Sequence, residues 1–125
     1  LGLLSVLVAC QPPDLAGSAA GRLPEGVSGR IELPAAPATG PALVTVHLHD
    51  ADGPLIGAKV TVTGDMTHAG MVPVISETTE TAPGVYQTED FSFTMGGDWF
   101  LLAAVELADG DRFELAPLTT GVSSN

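Results

Sequence analysis

The chain has 125 residues, 45% of them hydrophobic, with 15 acidic and 4 basic side chains and a formal net charge of −11. That length holds one domain of ordinary size, roughly 100–150 residues. The charge excludes nucleic acid, whose phosphates need clustered Lys or Arg, and a polybasic grip on anionic lipid. The single Cys excludes a disulfide framework and any multi-cysteine zinc or iron–sulfur site.

Leu1-Gly2-Leu3-Leu4-Ser5-Val6-Leu7-Val8-Ala9-Cys10 is an apolar run far shorter than the roughly 20 residues that cross a bilayer. It has the length and the small-residue ending of a signal-peptide h-region. No Met or basic n-region precedes it, so we expect the true start upstream. Leu7-Val8-Ala9-Cys10 resembles a bacterial lipobox. The resemblance implies that Cys10 is the first mature residue and carries acyl chains on its sulfur and amine. Several chains supply the anchoring that one alone does not. Gln11 is similar to an outer-membrane sorting signal of Gram-negative lipoproteins. The alternatives are an ordinary signal peptide, or a buried strand holding a free thiol.

Residues 11–27 read as a tether, and Pro, Gly and Ala remain frequent as far as Pro41. Such a composition buries too little apolar surface to offset chain entropy. Ser28 to Leu33 alternates well enough for a short edge strand. A β domain is expected over residues 28–117, with residues 118–125 as a fraying tail.

From Pro41 onward the period is two. Val44, Val46 and Leu48 alternate with Thr45, His47 and His49. Asp50-Ala51-Asp52-Gly53-Pro54 forms a turn cluster. Ala58, Val60 and Val62 alternate with Lys59, Thr61 and Thr63, and Gly64-Asp65 is expected to end that strand. Val72 to Thr79 is a weaker strand that Pro73 confines to an edge or a start. After the turn Ala82-Pro83-Gly84, residues 85–95 read as one strand with Phe91, Phe93 and Met95 on its apolar side. Gly96-Gly97-Asp98 turns the chain. Trp99, Leu101, Ala103, Val105 and Leu107 line the next strand, with Trp99 expected at the centre of the core. Asp109-Gly110 marks a hairpin returning through Arg112 to Leu115. About six or seven short strands without a helical period predict an all-β, immunoglobulin-like antiparallel β-sandwich.

Four pieces fall in a familiar order: Asp52 to Val60, with its Asp-Gly-Pro and Gly-Ala-Lys-Val elements; Met66-Thr67-His68-Ala69-Gly70-Met71; Pro83-Gly84-Val85-Tyr86; and Met95-Gly96-Gly97-Asp98-Trp99. Together, over about residues 31 to 115, they resemble the YtkA-like/FixH-like domain of bacterial envelope proteins. The resemblance implies an immunoglobulin-like sandwich outside the cytoplasmic membrane, beside copper-handling or cation-transport systems. FixH-like members carry a transmembrane helix. No apolar run of that length occurs in this sequence, so the YtkA-like, lipoprotein branch is the closer match.

The chemistry-bearing cluster is Met66, His68 and Met71. Soft thioethers favour Cu(I), and imidazole suits copper and zinc. In an extended segment Met66 and His68 point to one side, and Ala69-Gly70 can turn the chain so that Met71 closes a neutral trigonal site. The bland alternative is that the methionines fill gaps in a core and His68 is a solvated loop residue. Met95 reads as core, able to join if its strand end lies nearby. His47 and His49 share a strand face at i, i+2, and with Asp50 and Asp52 suggest a second, harder site. A solvated face explains them equally well.

No GxSxG elbow, HExxH helix or phosphate-cradling loop is present, and Asp109 with Asp111 reads as a turn rather than a dyad. The expectation is a non-catalytic, lipid-anchored envelope protein at the outer membrane or cell surface. It binds copper for delivery or sequestration, with copper-handling or cation-transport proteins as partners. The alternative is a non-metal interaction module offering Val72 to Thr79 as an edge for β-augmentation.

Overall fold

The computed structural model describes residues 23–66 and 72–124. Eleven strands follow one another: β1 Ser28–Glu32, β2 Gly40–Pro41, β3 Thr45–Asp50, β4 Gly53–Pro54, β5 Lys59–Met66, β6 Val74–Ala82, β7 Val85–Thr88, β8 Ser92–Phe93, β9 Gly97–Glu106, β10 Arg112–Glu114 and β11 Leu118–Val122. The described residues contain no helix, and none long and apolar enough to cross a membrane.

The main sheet is antiparallel and runs β1-β3-β7-β6-β5-β9-β10. β4 adds to β3 and β11 to β9, while β2 and β8 pair separately. β6 joins the two layers: Val74 to Glu77 pairs with β5, and Thr78 to Ala82 pairs with β7 across an irregularity between Glu80 and Ala82. The sheet curls on itself there, giving the expected all-β sandwich.

The alternation read from sequence dictates the core. Val46 and Leu48 of β3 face inward against Val60 and Val62 of β5 and Leu101, Ala103 and Val105 of β9. Trp99 is 1% exposed and meets Phe93 edge-to-face at 5.1 Å, and Phe93 meets Phe91 in the same manner at 5.2 Å. Tyr86 is buried, and its hydroxyl donates to the Leu55 carbonyl (2.7 Å) and accepts from the Ala58 amide (3.0 Å). Burial holds its phenol above the ordinary tyrosine range.

Three local expectations are corrected. Gly64-Asp65 does not end β5, which continues to Met66. Gly64 faces the core because a Cβ there would lie 2.6 Å from Phe91 Cζ; the missing side chain is what lets the aromatic cluster close over the strand. Residues 85–95 are not one strand. The chain turns after Thr88, where the Glu89 amide bonds the Glu77 carbonyl and the Asp90 amide bonds Ser76 Oγ, and Ser92–Phe93 pairs with β2. Val72 to Thr79 keeps the expected edge character, since Val74 to Glu77 pairs with β5 alone and the strand then crosses at Thr78 to pair with β7 alone. Finally, residues 118–122 of the expected tail pair with β9, and Val122 is buried against the core.

The tether reading also gives way over its last residues. Leu23 and Val27 pack against the core, and the Val27 amide bonds the Pro24 carbonyl (3.1 Å). Leu33 and Ala42 pack there as well, and the Thr39 amide bonds the Ser123 carbonyl. A few apolar residues among the prolines suffice to pin this segment down. Residues 11–22 of the tether lie outside the described residues, as does the signal-peptide region.

Candidate metal centre

Met66 is the last residue of β5, opposite Trp99 of β9. Parity fixes its direction: Val60, Val62, Gly64 and Met66 alternate inward along one strand, so its side chain enters the end of the sandwich. It is 5% exposed. Its terminal methyl lies 2.7 Å from where a Cβ on Gly97 would be, and Gly97 has φ of +132°. Gly97 therefore serves two needs, a backbone conformation that side chains resist and a seat for the Met66 methyl.

Met95 stands two residues before Gly97, in the bend that leads into β9, and is 44% exposed. The expectation that it is core is thereby corrected: the chain has left the alternating pattern after Phe93, so parity no longer directs the side chain inward. The Trp99 indole N–H donates to the Met95 carbonyl at 2.9 Å. The tryptophan thus ties the Met95 bend to the strand that faces Met66. One end of the sandwich brings together Met66, Gly97, Trp99 and the backbone of Met95. His68 and Met71, which follow Met66 by two and five positions in the chain, lie outside the described residues, as does Cys10.

A family model described as YtkA-like matches residues 23–103, well over half of the chain. The chain belongs to the YtkA-like family. No curated protein and no solved structure matches it.

Elsewhere in this YtkA-like domain, His47 and His49 lie on the outward face of β3. His47 Nε2 is 2.7 Å from Glu32 Oε1, and Arg30 Nη1 is 3.7 Å from the same oxygen. The hydrogen bond with His47 holds the Glu32 carboxyl below the ordinary glutamate range, aided by the charges of His47 and Arg30. Asp50 Oδ1 accepts the Asp52 amide at 2.8 Å, which spends that carboxylate on the turn. His49 is exposed, in register with Ser28 and Pro54. Among the described residues no three His, Cys, Asp or Glu side chains come close enough to hold a metal ion. The harder site expected from His47, His49, Asp50 and Asp52 does not assemble, because the strand pairs one histidine with β1 and the turn engages Asp50.

The hairpin aspartates act as turn residues, with Asp109 Oδ1 accepting the Asp111 amide (3.0 Å). A shallow open depression lined by Lys59, Thr61, Ala104, Glu106, Arg112 and Glu114 lies on the outer face of the second layer, at the opposite end of β5 from Met66. The roles of Gly97 and of the Trp99 indole escaped sequence reasoning. The Gly-Gly-Asp-Trp string after Met95 is the available signal: it marks the turn and the core tryptophan, but not the seat for Met66 or the indole hydrogen bond.

Proposed function

We propose that this protein is a non-catalytic, lipid-anchored envelope protein that binds copper as Cu(I), for delivery or sequestration. The ligands are Met66, His68 and Met71, with Met95 at the same end of the fold. The observation that carries the reading is the meeting of Met66 with the Met95 bend across Gly97 and Trp99. Of the three methionines of the chain, Met95 stands in that bend, and Met66 and Met71 flank His68 in the sequence. Thioether sulfur with one imidazole is a neutral, soft donor set, which matches Cu(I) better than Zn(II). Membership of the YtkA-like family supports an envelope setting. Acylation of Cys10 places the domain at the outer membrane or cell surface, within reach of a copper-handling or cation-transport partner.

The test is a Cu(I) competition titration of the chain against a chromogenic chelator, beside the Met66→Ala/His68→Ala/Met71→Ala variant. One Cu(I) per chain is expected in the parent and none in the variant. Equal affinity in the two removes the metal reading. For the anchor, mass spectrometry of the protein purified from membranes is expected to show acyl chains on Cys10.

A second reading, a non-metal interaction module, rests on the burial of Met66, which packing alone explains. Exposed Val72 and Ile75, 79% and 65% accessible at the start of β6, add to it. It expects no copper effect and a specific partner recovered by photo-crosslinking from probes substituted at positions 72 and 75.

A further inference from the structure

The backbone of β1 has a partner on one side only. Among the described residues β1 pairs with β3 and with no other strand. Hydrogen bonds on β3 show which of its groups point where. The Leu48 amide bonds the Gly84 carbonyl, the Leu48 carbonyl accepts from Leu55, and the Val44 carbonyl accepts from Thr88. These residues direct their backbone away from β1, toward β7 and β4. By alternation Thr45, His47 and His49 face β1, where their partners are Glu32, Arg30 and Ser28. The N–H and C=O groups of Gly29 and Ile31 therefore point outward from the open edge.

The side chains of this edge are self-complementary. Arg30 and Glu32 lie side by side on the outward face, 65% and 54% exposed, while Ile31 and Leu33 pack toward the core. Among the described residues Arg30 is the one Lys or Arg on the first layer of a chain with net charge −11. In an antiparallel pairing of two copies about Ile31, Arg30 of each copy stands opposite Glu32 of the other, twice over. Ile31 then faces Ile31 as a hydrogen-bonded pair, and Gly29 faces Leu33. Arg30 opposite Glu32 is a non-hydrogen-bonded pair, the kind that brings side chains closest. Centring instead on Arg30 sets Arg against Arg, and centring on Gly29 gains no charge pair.

We propose that the β1 edge is a homodimer interface, in which two copies pair antiparallel about Ile31 and extend the first layer across both molecules. The commonest oligomers are such two-fold, isologous dimers. The interface lies on β1 and does not depend on copper.

The test uses the full chain with Cys10→Ala, so that no native thiol remains. Sedimentation equilibrium is expected to show a concentration-dependent dimer. Arg30→Glu and Glu32→Arg each convert two attractive pairs to two repulsive ones and should raise the dimer Kd by about tenfold or more. The double reversal restores the pairs and should return Kd to near the parent value. Arg30→Glu is the safer variant for folding because its side chain is exposed. Ile31→Cys supplies a second readout. Hydrogen-bonded antiparallel partners stand about 5.5 Å apart at Cα, within disulfide reach, so mild oxidation should link the two copies there faster than Arg30→Cys does. A parent that stays monomeric, a dimer unmoved by both single reversals, or faster linking at Arg30→Cys would overturn the proposal. In the monomeric case Arg30 and Glu32 are edge guards against aggregation.

Discussion

Gly64→Ala is the smallest change that tests how the aromatic cluster closes the sandwich. A Cβ at this position would lie 2.6 Å from Phe91 Cζ, 3.0 Å from Phe91 Cε1 and 3.2 Å from Trp99 Cζ3. Carbon atoms in good contact stand about 3.5–4.0 Å apart, so Phe91 must withdraw by roughly 1 Å. It has little room to do so. Phe91 is 3% exposed and leans edge-on against Phe93, which in turn leans on Trp99. Overpacking of this kind costs about 1–3 kcal/mol. Restricting the unfolded chain gives back about 0.4–1 kcal/mol when Gly becomes Ala. The net expectation is a loss of about 1–2 kcal/mol, and each kcal/mol lowers Tm by about 4–8 °C in a domain near this size. Thermal unfolding followed by Trp99 fluorescence reads it directly. Phe91→Leu added to Gly64→Ala should cost less than the sum of the two singles, because the clash is then relieved. A Gly64→Ala protein as stable as the parent would refute the packing argument.

The other expectations concern single groups. Tyr86→Phe strands the Leu55 carbonyl and the Ala58 amide, and should cost about 1–2 kcal/mol in chemical denaturation; an unchanged midpoint would mean that water replaces the hydroxyl. Met66→Ala empties a buried site and should destabilise by about 2–5 kcal/mol, whereas Met95→Ala, at an exposed site, should leave stability nearly unchanged while weakening Cu(I) binding. Glu32 has its pKa depressed by His47. Its stabilising contribution is therefore present above the unfolded carboxylate pKa and fades as pH falls through the folded value. His47→Ala should move the Glu32 carboxyl titration, followed by NMR, up toward the ordinary glutamate range, and a midpoint that does not move would sever the pair.

Much of the fold was legible because period-two alternation survives wherever a strand buries one face. β3, β5 and β9 show their inward residues in the sequence, and Trp99 is where a large aromatic belongs. The errors share a cause, which is tertiary contact overriding local punctuation. Gly64 looks like a strand terminator, but its neighbours across the core need the space. Val122 looks like part of a polar tail, yet β10 covers only Ala104 to Glu106 on its edge of β9, which leaves Gly97 to Leu101 for β11. The strand at 74–82 starts directly after Pro73, as the proline suggests, and what no local pattern shows is that it crosses at Thr78 from β5 to β7. At the site, the types of donor were legible and their surroundings were not. Burial of Met66 and exposure of Met95 follow from where β5 ends and where the chain leaves β8, which no local pattern encodes. Outward histidines at i, i+2 suggested a metal site, but the sequence does not reveal that β1 would place Glu32 against His47.

The proposed copper site puts thioether sulfur on Cu(I) at the Met66 end of the sandwich. X-ray absorption at the copper edge, on the chain loaded with one equivalent of Cu(I), addresses the ligands themselves. Two or more sulfur neighbours with one imidazole nitrogen are expected, with loss of sulfur scattering in Met66→Ala/Met71→Ala. A first shell of nitrogen and oxygen alone, or copper that the protein does not retain, would contradict it.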